Sequence, residues 1–172
     1  TTCVVELIGD DFQSAISKLS NDTGLKLLLV RTNHYQTDTP IQGLQDTMEA
    51  LSGLMEAQKQ VKKTVNVLGH NLECFDDTEL ARMLKENGVK VNVRIPNECD
   101  IDTIKKAPSA QLNIVTNFAA LRLAQIMKQR FKVNYIYFDK FTHPDRIKDC
   151  YLRLHQALDI EFMDTVSALY DK

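Results

Sequence analysis

Between residues 64 and 158 short apolar runs alternate with helical patterns, and this alternation constrains the fold more than any other feature of the chain. Its sharpest instance is QLNIVTNF, residues 111–118. Leu112, Ile114 and Val115 form a short apolar run with Asn113 inside it, which passes through Thr116 and Asn117 straight into a helix. Such a run reads as a buried strand of a parallel sheet, whose neighbours run the same way only when crossover helices connect them. Further strands are predicted at residues 64–68, 89–95 and 133–138, with helices from Asp76 through Leu84 and over 101–106, 119–131 and 145–158. Strands spaced by helices imply right-handed crossovers and a sheet covered on both faces. Ligands of such sheets sit beyond the carboxyl ends of the strands, which puts Thr116 and Asn117 on the functional rim.

The first third of the chain is less regular. A strand is predicted at residues 4–8, then a helix capped by Asp10 or Asp11 with Phe12, Ala15, Ile16 and Leu19 at helical spacing, ending near Gly24. LKLLLV at residues 25–30 reads as the next buried strand, and residues 32–40 as a loop at its carboxyl end. A long helix is expected over 41–61, with Leu44, Met48, Leu51, Leu54 and Met55 as its apolar stripe and Lys59, Lys62 and Lys63 complementing the dipole at its end. Residues 160–170 read as a last helix. The expected fold is therefore α/β: a Rossmann-like or flavodoxin-like parallel sheet with helices on both faces, preceded by an incomplete α/β unit. The units are drawn at residues 1–62 and 63–172.

Composition narrows the function classes. A net charge of −2 gives no electrostatic case for nucleic acid or an anionic membrane. No apolar run reaches the roughly 18–20 residues that span a bilayer, so the expected compartment is the cytoplasm. Cys3, Cys74, Cys99 and Cys150 are too scattered for a metal knuckle or a disulfide framework and read as reduced, partly buried apolar residues. His34 and His70 read as solvent-facing loop histidines. Glycine-rich phosphate loops (GxGxxG, GxxxxGK[ST]) and the GxSxG nucleophile turn are absent. Asn117 is also a residue type that caps the helix after it, and Gly69 one that serves a strand-to-loop turn.

Three segments carry a resemblance. Thr1, Thr2, Cys3, Glu6, Ile8, Gly9, Asp10 and Asp11 follow the pattern TTCxxExIGDD. VNVLG at residues 65–69 precedes a helix that ends at Asn87, Gly88 and Val89. AQLNIV at residues 110–115 continues through MKQRF at 127–131 to Tyr135. Order and spacing over nearly the whole chain resemble the nitrogenase component 1 family, the molybdenum–iron protein and its relatives.

The resemblance implies that Cys3 is a thiolate ligand of an iron–sulfur cluster shared with a homologous subunit, electrons arriving from an ATP-dependent iron protein. It implies a cofactor or substrate pocket lined by residues 32–36, 69–71, 116–118 and 139–142, with Gly69, Thr116 and Asn117 as candidate binding residues. It also implies that the chain is an internal piece of a longer protein, binding no intact cluster by itself. Catalytic molybdenum–iron α subunits carry a cofactor-ligating Cys where Asn117 stands here, and an amide is a poor substitute for a thiolate on iron. Where those subunits place Gln and His near substrate, this chain has Pro40 and Leu44. What is expected is a nitrogenase-like oxidoreductase, including a tetrapyrrole reductase subunit, or a cofactor-assembly scaffold of the same fold. An unrelated flavodoxin-like ligand-binding domain is a third reading.

Overall fold

A computed structural model describes residues 11–30, 39–70, 74–138 and 143–160. At its centre is β1, Val61–His70, whose residues from Val65 onward are all buried. Strand β2, Lys90–Pro96, pairs along one side of it and β3, Ala110–Val115, along the other, with β4, Asn134–Tyr137, outside β3. All pairs are parallel, in the order β2-β1-β3-β4. In register, Val67 lies beside Arg94 on one side and Ile114 on the other.

Period-two alternation splits the strands between two cores. Val65, Val67, Leu112 and Ile114 face α3 (Glu79–Glu86) and α6 (Pro144–Leu158), packing with Leu84, Tyr151, Leu154 and Leu158. Leu68, Val93, Ile95 and Val115 face α2 (Ile41–Leu51), α4 (Ile101–Lys106) and α5 (Leu121–Phe131), packing with Met48, Ile104, Leu123 and Met127. This is the two-faced parallel sheet that the alternation predicts. Two of the helices packed on the sheet start on explicit side-chain caps. Asp100 caps α4 reciprocally with Thr103, whose hydrogen bonds hold the Asp100 carboxyl below the usual carboxylate range. Thr78 caps α3 by accepting the Ala81 N–H at 3.1 Å. Thr78→Ala is expected to cost about 1 kcal/mol in chemical denaturation, and an unchanged midpoint would refute the cap.

The upstream third departs from its sequence pattern. Helix α1, Phe12–Thr23, forms with Asp11 as cap and Gly24 in the left-handed region as stop. It buries no residue, and Leu19 is 52% exposed. The LKLLLV segment is not a strand: Leu25 and Lys26 are exposed, the next four are half-buried, and no described strand pairs with them. An apolar run becomes a strand only when a neighbour completes its ladder. The helix expected over 41–61 stops at Leu51. Ser52–Leu54 tightens into a 3-10 turn, and Met55 turns extended at φ −70°, ψ 142°. A Cβ on Gly53 would come 3.0 Å from Leu28 Cδ2, so the turn packs closely under that side chain. Lys62 and Lys63 therefore lie in β1 rather than in a helix. Lys63 makes a bulge at φ 55°, patched by its N–H donating to Gln111 Oε1 at 2.7 Å.

The strand predicted at residues 4–8, nearly all of the loop at 32–40 and nearly all of the helix at 160–170 lie outside the described residues. No helix among the described residues is long and apolar enough to cross a membrane.

Candidate functional site

Chain direction defines one special place on this sheet. From β1 the chain moves outward to β2, and from β3 it moves the opposite way to β4. The connections after β1 and β3 also leave on opposite faces, to α3 and α5. The carboxyl ends of β1 and β3 therefore part at a switch point, the position where open parallel sheets hold ligands.

Gly69, Thr116 and Asn117 meet there. The Thr116 N–H donates to Leu68 O at 2.8 Å, and its hydroxyl donates to the same oxygen at 3.3 Å. Gly69 adopts φ +90°, and a Cβ on it would stand 2.7 Å from Asn117 Cβ, 3.0 Å from Asn117 N and 3.1 Å from Ala120 Cβ. Only glycine permits both that dihedral and that approach. Asn117 is extended, and its Oδ1 accepts the Ala119 N–H at 2.9 Å, capping the 3-10 turn Phe118–Ala120 that leads into α5. That turn buries Ala119 and Ala120 and leaves the Phe118 ring 55% exposed at the rim. Helix α2 packs against the same turn, and its Asp46 and Glu49 pair with Arg122 of α5 at 3.2 and 2.8 Å.

The β1 side of the crevice is braced by a group of residues whose association the sequence does not announce. His70 is the last residue of β1, 5% exposed, and its ring meets Phe75 edge-on at 5.1 Å. It is not solvent-facing, because β1 extends two residues past the predicted end and Phe75 folds over it. Arg94 of β2 lies over the Phe75 ring at 5.3 Å and pairs with Asp76 at 3.2 Å and with Glu98. These partners are 18 and 4 residues from Arg94, so only the fold brings all of them together.

The other predicted positions separate. Cys3, His34, Asn71 and residues 139–142 lie outside the described residues. Cys150 is buried and Cys99 half-buried, as their residue type suggests, whereas Cys74 is exposed. Burial, reinforced by the charge of Asp100, pushes the Cys99 thiol upward, which disfavours its thiolate. Burial likewise pushes the Tyr151 phenol upward. The cavities beside β2 (about 840 Å³, lined by Arg82, Lys85 and Val91) and beside β4 (about 780 Å³, lined by Lys128, Lys132 and Tyr135) do not include Gly69, Thr116 or Asn117.

A family model for nitrogenase component 1 type oxidoreductases matches residues 1–169. The chain is 31% identical over 125 residues to a light-independent protochlorophyllide reductase subunit from Gloeobacter violaceus, covering 66% of this chain and 25% of that protein. It is 28% identical over 151 residues to the corresponding subunit from Porphyra purpurea, covering 78% of this chain and 29% of that protein. Among solved structures, nitrogenase Cp1 at pH 6.5 superposes with a TM-score of 0.74 at 22% identity, over 91% of this chain and 31% of that one. The chain thus spans between a quarter and a third of the length of these relatives.

Proposed function

This chain belongs to the nitrogenase component 1 type oxidoreductase family, and on that premise we propose that its parent is a nitrogenase-like reductase subunit acting on an organic substrate of the tetrapyrrole type. The observation that carries the reading is the 31% identity to a protochlorophyllide reductase subunit, joined to an amide at position 117. We assign Cys3 as one thiolate of an iron–sulfur cluster, which when bound supplies single electrons. Cys3 lies outside the described residues, so the assignment rests on the TTC pattern.

Within the described chain, Gly69, Thr116 and Asn117 would position the substrate at the switch point. Phe118 would supply apolar contact, and the Phe75–Arg94 stack would hold one wall still. The partners of this reading are a homologous component 1 subunit and an ATP-dependent iron protein, in the cytoplasm. The proposed division is residues 1–62 as the end of one α/β domain and 63–172 as the next. Family membership removes the reading of an unrelated flavodoxin-like ligand-binding domain.

One observation favours a second reading, a cofactor-assembly scaffold that kept the fold without the redox chemistry: position 117 offers no metal ligand. Anaerobic iron and sulfide analysis of the full-length protein, with electron paramagnetic resonance, separates the two. The reductase reading expects a cluster signal that Cys3→Ala reduces to background. A folded parent free of iron would sink it and leave the scaffold.

A further inference from the structure

We propose that the amino end of the sheet, opposite the crevice, is a docking face for the acidic surface of a different protein, an inference independent of the reductase reading above. Charge is segregated along the strand axis. Acidic side chains gather where the strands end: Asp76 and Asp77 follow β1, Glu98 and Asp100 follow β2, and Asp102 and Asp145 stand in the first turns of α4 and α6. Between residues 39 and 138 every lysine stands at the opposite end. Helix dipoles account for some of them, since Lys85, Lys105, Lys106 and Lys128 occupy the last turns of α3, α4 and α5. They do not account for Lys59, Lys62, Lys63 and Lys90, which lie just before β1 or in the first residues of β1 and β2.

The fold draws these side chains into one surface. Thr64 lies beside Lys90 in register, so Lys63 and Lys90 stand on neighbouring strands. The Gln60 side chain donates to Lys132 O at 3.1 Å, which brings Lys132 beside the segment entering β1. Lys59, Lys62, Lys63, Lys90 and Lys132 are exposed, and none of them pairs with a carboxylate among the described residues. Glu56, Glu86 and Asp159 lie at the same end and leave it net positive. Like charges on neighbouring strands repel, whereas a surface shaped only for solubility intersperses both signs. The complement is therefore external and acidic. Phosphate and nucleic acid call for the paired N–H groups of arginine, but Arg130, in the last turn of α5, is committed to Ser52 O and Oγ at 3.3 Å. A protein partner also suits the apolar surface present: Val61 is 53% exposed among the lysines, and a groove of about 780 Å³ opens along Lys128, Lys132 and Tyr135. A second copy fits poorly, since its acidic carboxyl end on this amino end is a head-to-tail contact that leaves open ends.

Poly-L-glutamate is the probe for an acidic polypeptide, titrated by fluorescence anisotropy against the full-length protein. Binding is expected at low salt and should weaken as salt screens the exposed charges. Lys59→Gln, Lys62→Gln and Lys63→Gln made together should raise its Kd about tenfold or more, with an unchanged circular dichroism spectrum. The same three positions changed to Arg keep the charge and should keep the wild-type Kd. Absence of binding overturns the proposal, and so does a Kd that the Gln variant leaves unchanged or that the Arg variant raises equally. Single-stranded DNA or phosphatidylserine vesicles bound more tightly through the same lysines would overturn the choice of a protein. Sedimentation showing that the wild type associates end to end through these lysines would overturn it in favour of a second copy.

Discussion

Asn66→Leu is expected to lower the unfolding free energy by roughly 2–4 kcal/mol, although the new side chain is close in size and more apolar. Asn66 sits fully buried in β1 and links three strands. Its Nδ2 donates to Ala107 O at 2.8 Å and to Asn113 Oδ1 at 2.7 Å, and its Oδ1 accepts from Asn92 Nδ2 at 2.9 Å. Leucine leaves Asn113 Oδ1 buried without its donor, at about 1–3 kcal/mol, and removes one of two donors from Ala107 O, which keeps the Ala110 N–H. Asn92 is only half-buried and retains a long contact to Lys106 O at 3.4 Å, so its loss counts for less. Burial of an additional apolar group offsets part of the total, which keeps the figure below the sum of the maxima. Urea denaturation followed by circular dichroism measures the effect. Adding Asn113→Leu should cost less than its own single-variant penalty, because the partner it would orphan is already gone. A loss under about 1 kcal/mol for Asn66→Leu alone would mean that the network is hydrated rather than buried.

Gly69→Ala should cost about 2–5 kcal/mol and distort the rim as well. Two terms add. A left-handed backbone costs an L-residue about 1–2 kcal/mol. The new methyl group would meet Asn117 Cβ at 2.7 Å and Asn117 N at 3.0 Å, and overpacking against such neighbours typically costs about 1–3 kcal/mol. Relief by moving Asn117 would break its cap on Ala119 and carry the start of α5 with it. The informative comparison is therefore between global stability and local signals. Amide resonances of residues 117–120 should shift strongly, while those of α3, on the other face, stay in place. A stable Gly69→Ala protein with unmoved resonances at 117–120 would show that β1 and β3 do not approach as closely as described.

How legible the fold was depended on how local its causes were. The downstream strands and helices follow from apolar runs, caps and stops that a few adjacent residues encode: Asp100 with Thr103, Thr78 before Glu79, Asn87 and Gly88 after α3. Residues 25–30 misled because LKLLLV carries apolar content but no information about whether a pairing partner exists. The helix expected to reach residue 61 misled because its apolar spacing continues through Leu54 and Met55, while the backbone tightens to a 3-10 turn at Ser52–Leu54 and is extended at Met55.

The site was legible as positions rather than as an arrangement. Thr116 and Asn117 fall on the rim because a strand ends there, and the sequence allows that inference. That Gly69 holds Asn117 in place, however, depends on two residues 48 apart in sequence lying side by side. The Arg94 pairs and the three asparagines are equally hidden, since isolated polar residues inside apolar runs carry no mark of their partners. Asn66 and Asn113 occupied equivalent places in two predicted strands, which was the one available hint that they would pair across the sheet.

Arg94 touches the loop after β1 through Asp76 and the loop after its own strand through Glu98, with Phe75 held beneath it. One side chain thereby links a residue after β1 to a residue after β2. The opposite side of the crevice is anchored separately: Ala119 and Ala120 are buried and Arg122 pairs with Asp46 and Glu49, which ties that side to α2 rather than to Arg94.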